Sequence, residues 1–417
     1  MMQFIFITTL IFFFSSFLLA QESGDQKDQK KSGFGGPNQV EKQLEEDAEK
    51  KQPFFELGFS NSYFDFKNNL EESYGLSFGI DYTSVFLGAN ESLDKNNSNG
   101  GMVRLFGSWE LLNHGEKNSG ALIFKVEHRH KYSDIAPKGF GFNLGYVGMI
   151  EPPFNDDNLR WTNFYWRQRL LDGKLSFVVG LLDATDYVDV YALASPWMHF
   201  MNFAFSTGSE TVYIPNDAAL GFAVAGMLTD NIYIIANISD AGSDPTDPLK
   251  NFETFFSNND YFKSVEVGWV SSKDRFFFDN IHLTYWNSDG SDVTSSLPGW
   301  GIAFSATHYF ENKWLPFIRG GYAKDGGTLL QKSLTAGVGY QPVQGGNLLG
   351  AAIGWGEVNE SSWAPGLDDQ ITMELFYRVQ LSTRIALTPD LQYVINPAIN
   401  PDASSIFIWG IRARLAL

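Results

Sequence analysis

The sequence of 417 residues carries 48 acidic against 30 basic side chains, a formal net charge of −18, and no cysteine. Such acidity repels nucleic-acid phosphates at long range, and a chain without Cys has no disulfide, thiolate nucleophile or thiolate metal site. Aromatics at 16% with 40 glycines are unlike the mixture of an average soluble enzyme. The length suits about two or three soluble domains or one large closed barrel.

In chain order, residues 1–20 come first. They run from Met1 through Phe4-Ile5-Phe6-Ile7 to Phe17-Leu18-Leu19-Ala20 without a charge, and read as a secretory signal sequence ending at Ala20. A retained anchor is the competing reading, since about 18 apolar residues just span a bilayer. N-terminal sequencing of the extracted protein should therefore begin close to Gln21, and a retained Met1 would overturn the export reading.

Residues 21–52 change character. Gly33, Gly35, Gly36 and Pro37 mark a flexible linker, and Val40 to Lys51 a short polar helix. Its apolar stripe of Val40, Leu44 and Ala48 is too thin to hold it alone, so the segment is expected to be solvated, a periplasmic tether or plug-side extension. Within 53–417 no apolar run reaches the length of a membrane helix: Leu220–Leu228 and Ile232–Ile238 are parted by Thr229-Asp230-Asn231. Segments of about ten residues with alternating apolar and polar character recur instead, divided by Gly, Asn, Asp and Pro.

Five of these segments fix the register. In Leu122–Arg129 the polar face is Lys125, Glu127 and Arg129. In Trp161–Leu170, Trp161 shares a face with Asn163, Tyr165, Arg167 and Arg169, and Phe164, Trp166 and Leu170 look the other way. Thr372–Leu381 sets Met373, Leu375, Tyr377, Val379 and Leu381 against Glu374, Arg378 and Gln380. Arg384–Ile395 sets Ile385, Leu387, Leu391 and Tyr393 against Arg384, Thr388, Asp390 and Gln392. The final run sets Phe407, Trp409, Ile411, Ala413, Leu415 and Leu417 against Gly410, Arg412, Arg414 and Ala416. An arginine facing hydrocarbon costs about 2–4 kcal/mol at mid-bilayer, so the arginine faces line a lumen and the apolar faces meet lipid. Ser382-Thr383 makes a short turn and Asn396–Ser404 a long loop, the asymmetry of periplasmic and external sides. The expected fold is an all-β, transmembrane antiparallel β-barrel; 53–417 at roughly 20–24 residues per strand with its loop supplies about 16 strands, enough for an aqueous channel.

A diffusion pore selects solutes by the groups on its narrow wall. Sugars offer hydroxyls to Arg and Glu, and C–H faces to aromatic rings. Arg129, Arg167, Arg169, Arg378, Arg412, Arg414, Glu127 and Glu374 meet the first need, and Trp161 and Tyr165 the second. The blander reading is that these charges only keep a wet wall solvated and pair across strands. His128 and His130 fall on the lipid face, and Gly345-Gly346 and Gly139–Gly145 lack the Lys-Ser/Thr of a phosphate loop, so no metal, cofactor or catalytic group is expected. Lys273 falls in a loop away from this set.

The tract Trp166-Arg167-Gln168-Arg169-Leu170-Leu171-Asp172-Gly173, with Gly180-Leu181-Leu182-Asp183-Ala184-Thr185-Asp186 and Ala194-Ser195-Pro196-Trp197, resembles the carbohydrate-selective porin family of Gram-negative outer membranes. So do Glu374-Leu375-Phe376-Tyr377-Arg378, Leu387-Thr388-Pro389-Asp390-Leu391-Gln392-Tyr393 and Asn396-Pro397. The resemblance implies a 16-stranded barrel, passive uptake of glucose and related sugars, and an arginine-lined constriction with some acidic residues. Partners are then transported sugars, outer-membrane lipid, lipopolysaccharide and the barrel assembly machinery, with a monomer or a homotrimer as the assembly. Two rivals stay open, a general or anion-leaning porin and a structural or adhesive barrel with a blocked lumen.

Overall fold

The computed structural model of the chain describes residues 33–49, 51, 53–55, 61–343 and 345–417, so the expected signal sequence lies outside the described residues. Helices α1 (Val40–Ala48) and α2 (Asn61–Tyr74) precede the strands, with α3 (Phe140–Leu144) and α4 (Lys250–Ser257) in external loops. The strands are β1 (Leu76–Ala89), β2 (Asn97–Leu112), β3 (Gly120–Lys131), β4 (Asn158–Leu170), β5 (Leu175–Leu182), β6 (Ala219–Met227), β7 (Ile232–Asp240) and β8 (Tyr261–Val270). There follow β9 (Asn280–Ser288), β10 (Gly299–Thr307), β11 (Trp314–Asp325), β12 (Leu330–Tyr340), β13 (Leu348–Val358), β14 (Gln370–Gln380), β15 (Ile385–Ile395) and β16 (Ser405–Ala416).

Each strand pairs antiparallel with its sequence neighbours, and β1 pairs with β16, closing the barrel so that no edge is left unpaired. This is the fold expected from the alternation. On β9, Ile281, Leu283 and Tyr285 are exposed outward, whereas His282, Thr284 and Trp286 between them are buried inward. The period of two holds on β14, β15 and β16 in the register read from the sequence. At the start of the barrel Gly75, at φ +70, ends α2: its N–H donates to Glu71 O at 2.9 Å in the left-handed conformation that favours glycine after a helix.

Turns at the periplasmic end are short, as at 171–174, 228–231 and 381–384, and the external loops 132–157, 183–218 and 241–260 are long. Loop 241–260 carries α4 against the outside of the wall. Phe255 and Trp161 pack over Leu181, Ala218 and Leu220, which is why Leu181 and Leu220 are buried although they share the outward face with Phe164 and Phe222.

Candidate functional site

Loop 183–218 folds into the lumen, and its side chains from Val188 to Val212 are buried almost without break. Tyr191, Phe200 and Phe205 pack there with Phe317 of β11 and Phe376 of β14, the Phe200 ring lying edge-on to Phe376 with centroids 4.9 Å apart. Charged groups on the wall fasten the loop. Arg319 donates to Ser206 O at 2.5 Å and Asp189 O at 2.9 Å and pairs with the Asp189 carboxylate. His282 Nε2 lies 2.8 Å from the same carboxylate, and the Gly208 N–H donates to it at 2.7 Å. Burial works against the Asp189 charge, but Arg319 and the bonds from His282 and Gly208 outweigh it and hold the carboxyl below its ordinary range.

The residues named from the sequence do not form one ring; they fall into three groups at successive depths. In the outer half of the pore Glu127 accepts from Arg129 Nε at 2.7 Å, Arg129 reaches Asp217 at 3.0 Å, and Arg160 reaches the same Asp217 at 2.7 Å. At mid-depth Arg412 donates to Glu151 at 2.7 Å, Pro196 O at 2.5 Å and His199 O at 2.8 Å, tying loops 132–157 and 183–218 to β16. Glu374 accepts from the Met201 and Asn202 N–H groups at 2.5 and 3.0 Å. Toward the periplasm Arg167 and Arg169 donate to Glu41 at 2.8 and 3.1 Å, and Arg378 to Glu46 at 3.0 Å. Arg414 donates to Asp47 at 2.8 and 2.7 Å and to Asp81 at 2.7 Å. Tyr165 faces the lumen and is buried in an apolar cluster with Phe34 and Val40.

Three expectations need correction. Trp161 faces lipid: β3 and β4 slip by one residue where Lys125 pairs with Asn163 but Val126 with Trp161, so Thr162 is extra and everything before it changes face. Trp161 then meets Phe164 outside, centroids 5.3 Å apart, and Arg160 points inward. The α1 segment is not solvated. Val40 and Gln43 are buried, Leu44 packs on the lumen cluster, and the helix carboxylates find the wall arginines. Lys273 is not remote either; it sits on a periplasmic turn, donating to Gly173 O with its ammonium 5.4 Å from the Phe34 ring.

Arg104, Arg319 and Trp197 were missed from the sequence. Alternation marks both arginines, since Val103 and Leu105 face out around Arg104 and Phe317 shares the inward face with Arg319. Arg104 pairs with Asp81 and lies 4.8 Å over the Trp197 ring, with Lys125 at 5.6 Å. Trp197 Nε1 is buried and finds no acceptor among the described residues. The ring borders a cavity of about 30 Å³ lined also by Arg378, Arg412, Arg414, Glu46 and Asp47. That volume holds about one or two waters.

A closed barrel of 16 antiparallel strands with an apolar outer belt, charged lumen and in-folded loop is the architecture of an outer-membrane β-barrel. Residues 286–417 match the model of the carbohydrate-selective porin, OprB family. The high-pH structure of Pseudomonas putida OprB superposes with a TM-score of 0.67 at 13% identity, covering 85% of this chain and 97% of that one. A mutant of the Rhodopseudomonas blastica porin gives a TM-score of 0.51 at 10% identity over 82% of this chain and 100% of its own; at these identities the shared property is the fold. An uncharacterized protein of Synechocystis sp. is 36% identical over 80 residues, 18% of this chain, and the match spans only 15% of that protein. The match over residues 286–417 bears out the resemblance to the carbohydrate-selective porin family read from the sequence.

Proposed function

We propose that the pore passes small neutral sugars, glucose and its relatives, by passive diffusion. The observation that carries this reading is the pairing of the wall charges. Arg129 faces Glu127 and Asp217, Arg412 faces Glu151, and Arg414 faces Asp47 and Asp81. Paired charges leave little net field to sort ions, yet they present alternating strong donors and acceptors along the path. A solute with several hydroxyls and no charge can exchange bonds with such a wall stepwise. Trp197, buried beside the Arg104 and Lys125 cations, borders the small cavity on this path with an unused N–H. In the outer half, Glu127, Arg129, Arg160 and Asp217 form the first such contact.

Swelling of proteoliposomes in isotonic solutes tests the reading. Monosaccharides should enter faster than disaccharides, and faster than organic anions or cations of equal size. Anions entering faster than glucose would favour the anion-leaning porin and overturn the proposal.

A further inference from the structure

We propose that Val40–Ala48 is a removable plug: an acidic helix of the chain itself, seated in the periplasmic mouth of the barrel on the arginines of β4, β14 and β16. Three of its carboxylates contact four guanidinium groups on separate parts of the wall: Glu41 with Arg167 and Arg169, Glu46 with Arg378, and Asp47 with Arg414. The helix thus spans the mouth from one side of the β1–β16 seam to the other. Upstream, the Gly36 N–H donates to Asp186 O at 2.8 Å, tying the entry of the helix to the in-folded loop. Between the helix, Trp197 and the β14–β16 wall lies a cavity of about 30 Å³, room for about one or two waters.

The attachment differs from that of loop 183–218. That loop is buried along its length, whereas Val40 and Gln43 are the helix residues fully buried, and the carboxylates keep 21%, 24% and 17% of their side-chain surface exposed at Glu41, Glu46 and Asp47. Ion pairs that reach water are screened by salt and contribute modestly one by one, so they are the part of the attachment that salt can loosen, beside the apolar contacts of Val40 and Leu44. Burial works against the charges of Glu41 and Glu46, yet Arg167 and Arg169 on the first, and Arg378 with Lys51 on the second, bring each carboxyl down to about 2.

The test is ion current, which does not depend on which solute the pore prefers and so separates this proposal from the sugar reading. Purified wild type, the variant Glu41→Gln/Glu46→Gln/Asp47→Asn, and a chain lacking residues 33–51 are inserted into planar bilayers. Heat-modifiable gel mobility confirms that each barrel is folded, and the triple variant keeps the helix should the deletion fail to assemble. Both variants should conduct at least about twofold more than wild type. Their reversal potentials should move toward anion preference, because Arg169 and Arg378 lose their carboxylate partners. Wild-type conductance should also climb more steeply with salt than that of the deletion, as screening loosens the helix. If folded variants keep wild-type conductance and reversal potential, the helix closes nothing and the proposal fails.

Discussion

Arg319→Met is expected to free loop 183–218 from the barrel wall while leaving the strands paired. Arg319 is wholly buried, and its guanidinium joins Ser305 Oγ on β10, at 3.2 Å, to Ser206 O and to both the carbonyl and carboxylate of Asp189. Its flat face lies 4.3 Å from the Tyr191 ring. A methionine fills much of the volume but removes the cation, leaving the Asp189 carboxylate buried with only His282 and the Gly208 N–H beside it. Removing one partner of a buried ion pair costs about 3–5 kcal/mol. The loop can avoid most of that cost by swinging Asp189 into water, which detaches the apolar residues that follow it. Protease should therefore cut within 183–218 in the folded variant and not in wild type, with larger current fluctuations in bilayers. Arg319→Met/Asp189→Asn, which removes the stranded charge, should recover part of the protection. A single variant as resistant as wild type would show that the aromatic contacts of Phe200 and Phe205 hold the loop unaided.

The same geometry shows what the sequence could and could not carry. Arg378, Arg412 and Arg414 were readable as lumen residues because one face of a strand must be apolar against lipid, and an arginine one place along is then forced inward. The partners of those arginines were not readable. Arg319 and Asp189 stand 130 residues apart, and Arg167 and Glu41 stand 126 apart; nothing local in either segment announces the other. The α1 stripe is too thin to predict burial in water, but it was never required to pack alone, since the wall supplied both the apolar surface and the countercharges. Trp161 failed for a different reason. A one-residue bulge leaves the composition of a strand unchanged and reverses every side chain before it, so counting from Arg167 back to Trp161 crosses Thr162 without warning. The in-folding of 183–218 has no periodic signature either. Its length was legible, and its hydrophobic content, from Tyr191 to Phe205, is that of a segment destined for burial.

Trp409→Arg should impair assembly far more than Gly410→Ala, although the two positions are adjacent. Trp409 lies on the lipid face of β16, 41% exposed, with Phe407 and Ile411 on either side, 40% and 42% exposed. Its indole covers Gly88 of β1, where a Cβ would come within 2.7 Å of the ring. That contact sits on the seam that closes the barrel, with Trp409 opposite Gly88 on one side and Leu391 on the other. A guanidinium there faces hydrocarbon and costs about 2–4 kcal/mol near the midplane, a factor of roughly 30 to 700 in the folded fraction. Gly410 points the other way. An added methyl would lie 2.8 Å from Leu87 Cδ2 and 3.5 Å from Met201 Sδ, both far ends of flexible side chains that can shift, at about 1 kcal/mol. Folding into lipid vesicles, followed by heat-modifiable gel mobility, should give a low yield of folded Trp409→Arg and a yield of Gly410→Ala near wild type. Equal yields would mean that the outward face of β16 meets water or protein instead of lipid, and with it the membrane placement of the β1–β16 seam would fall.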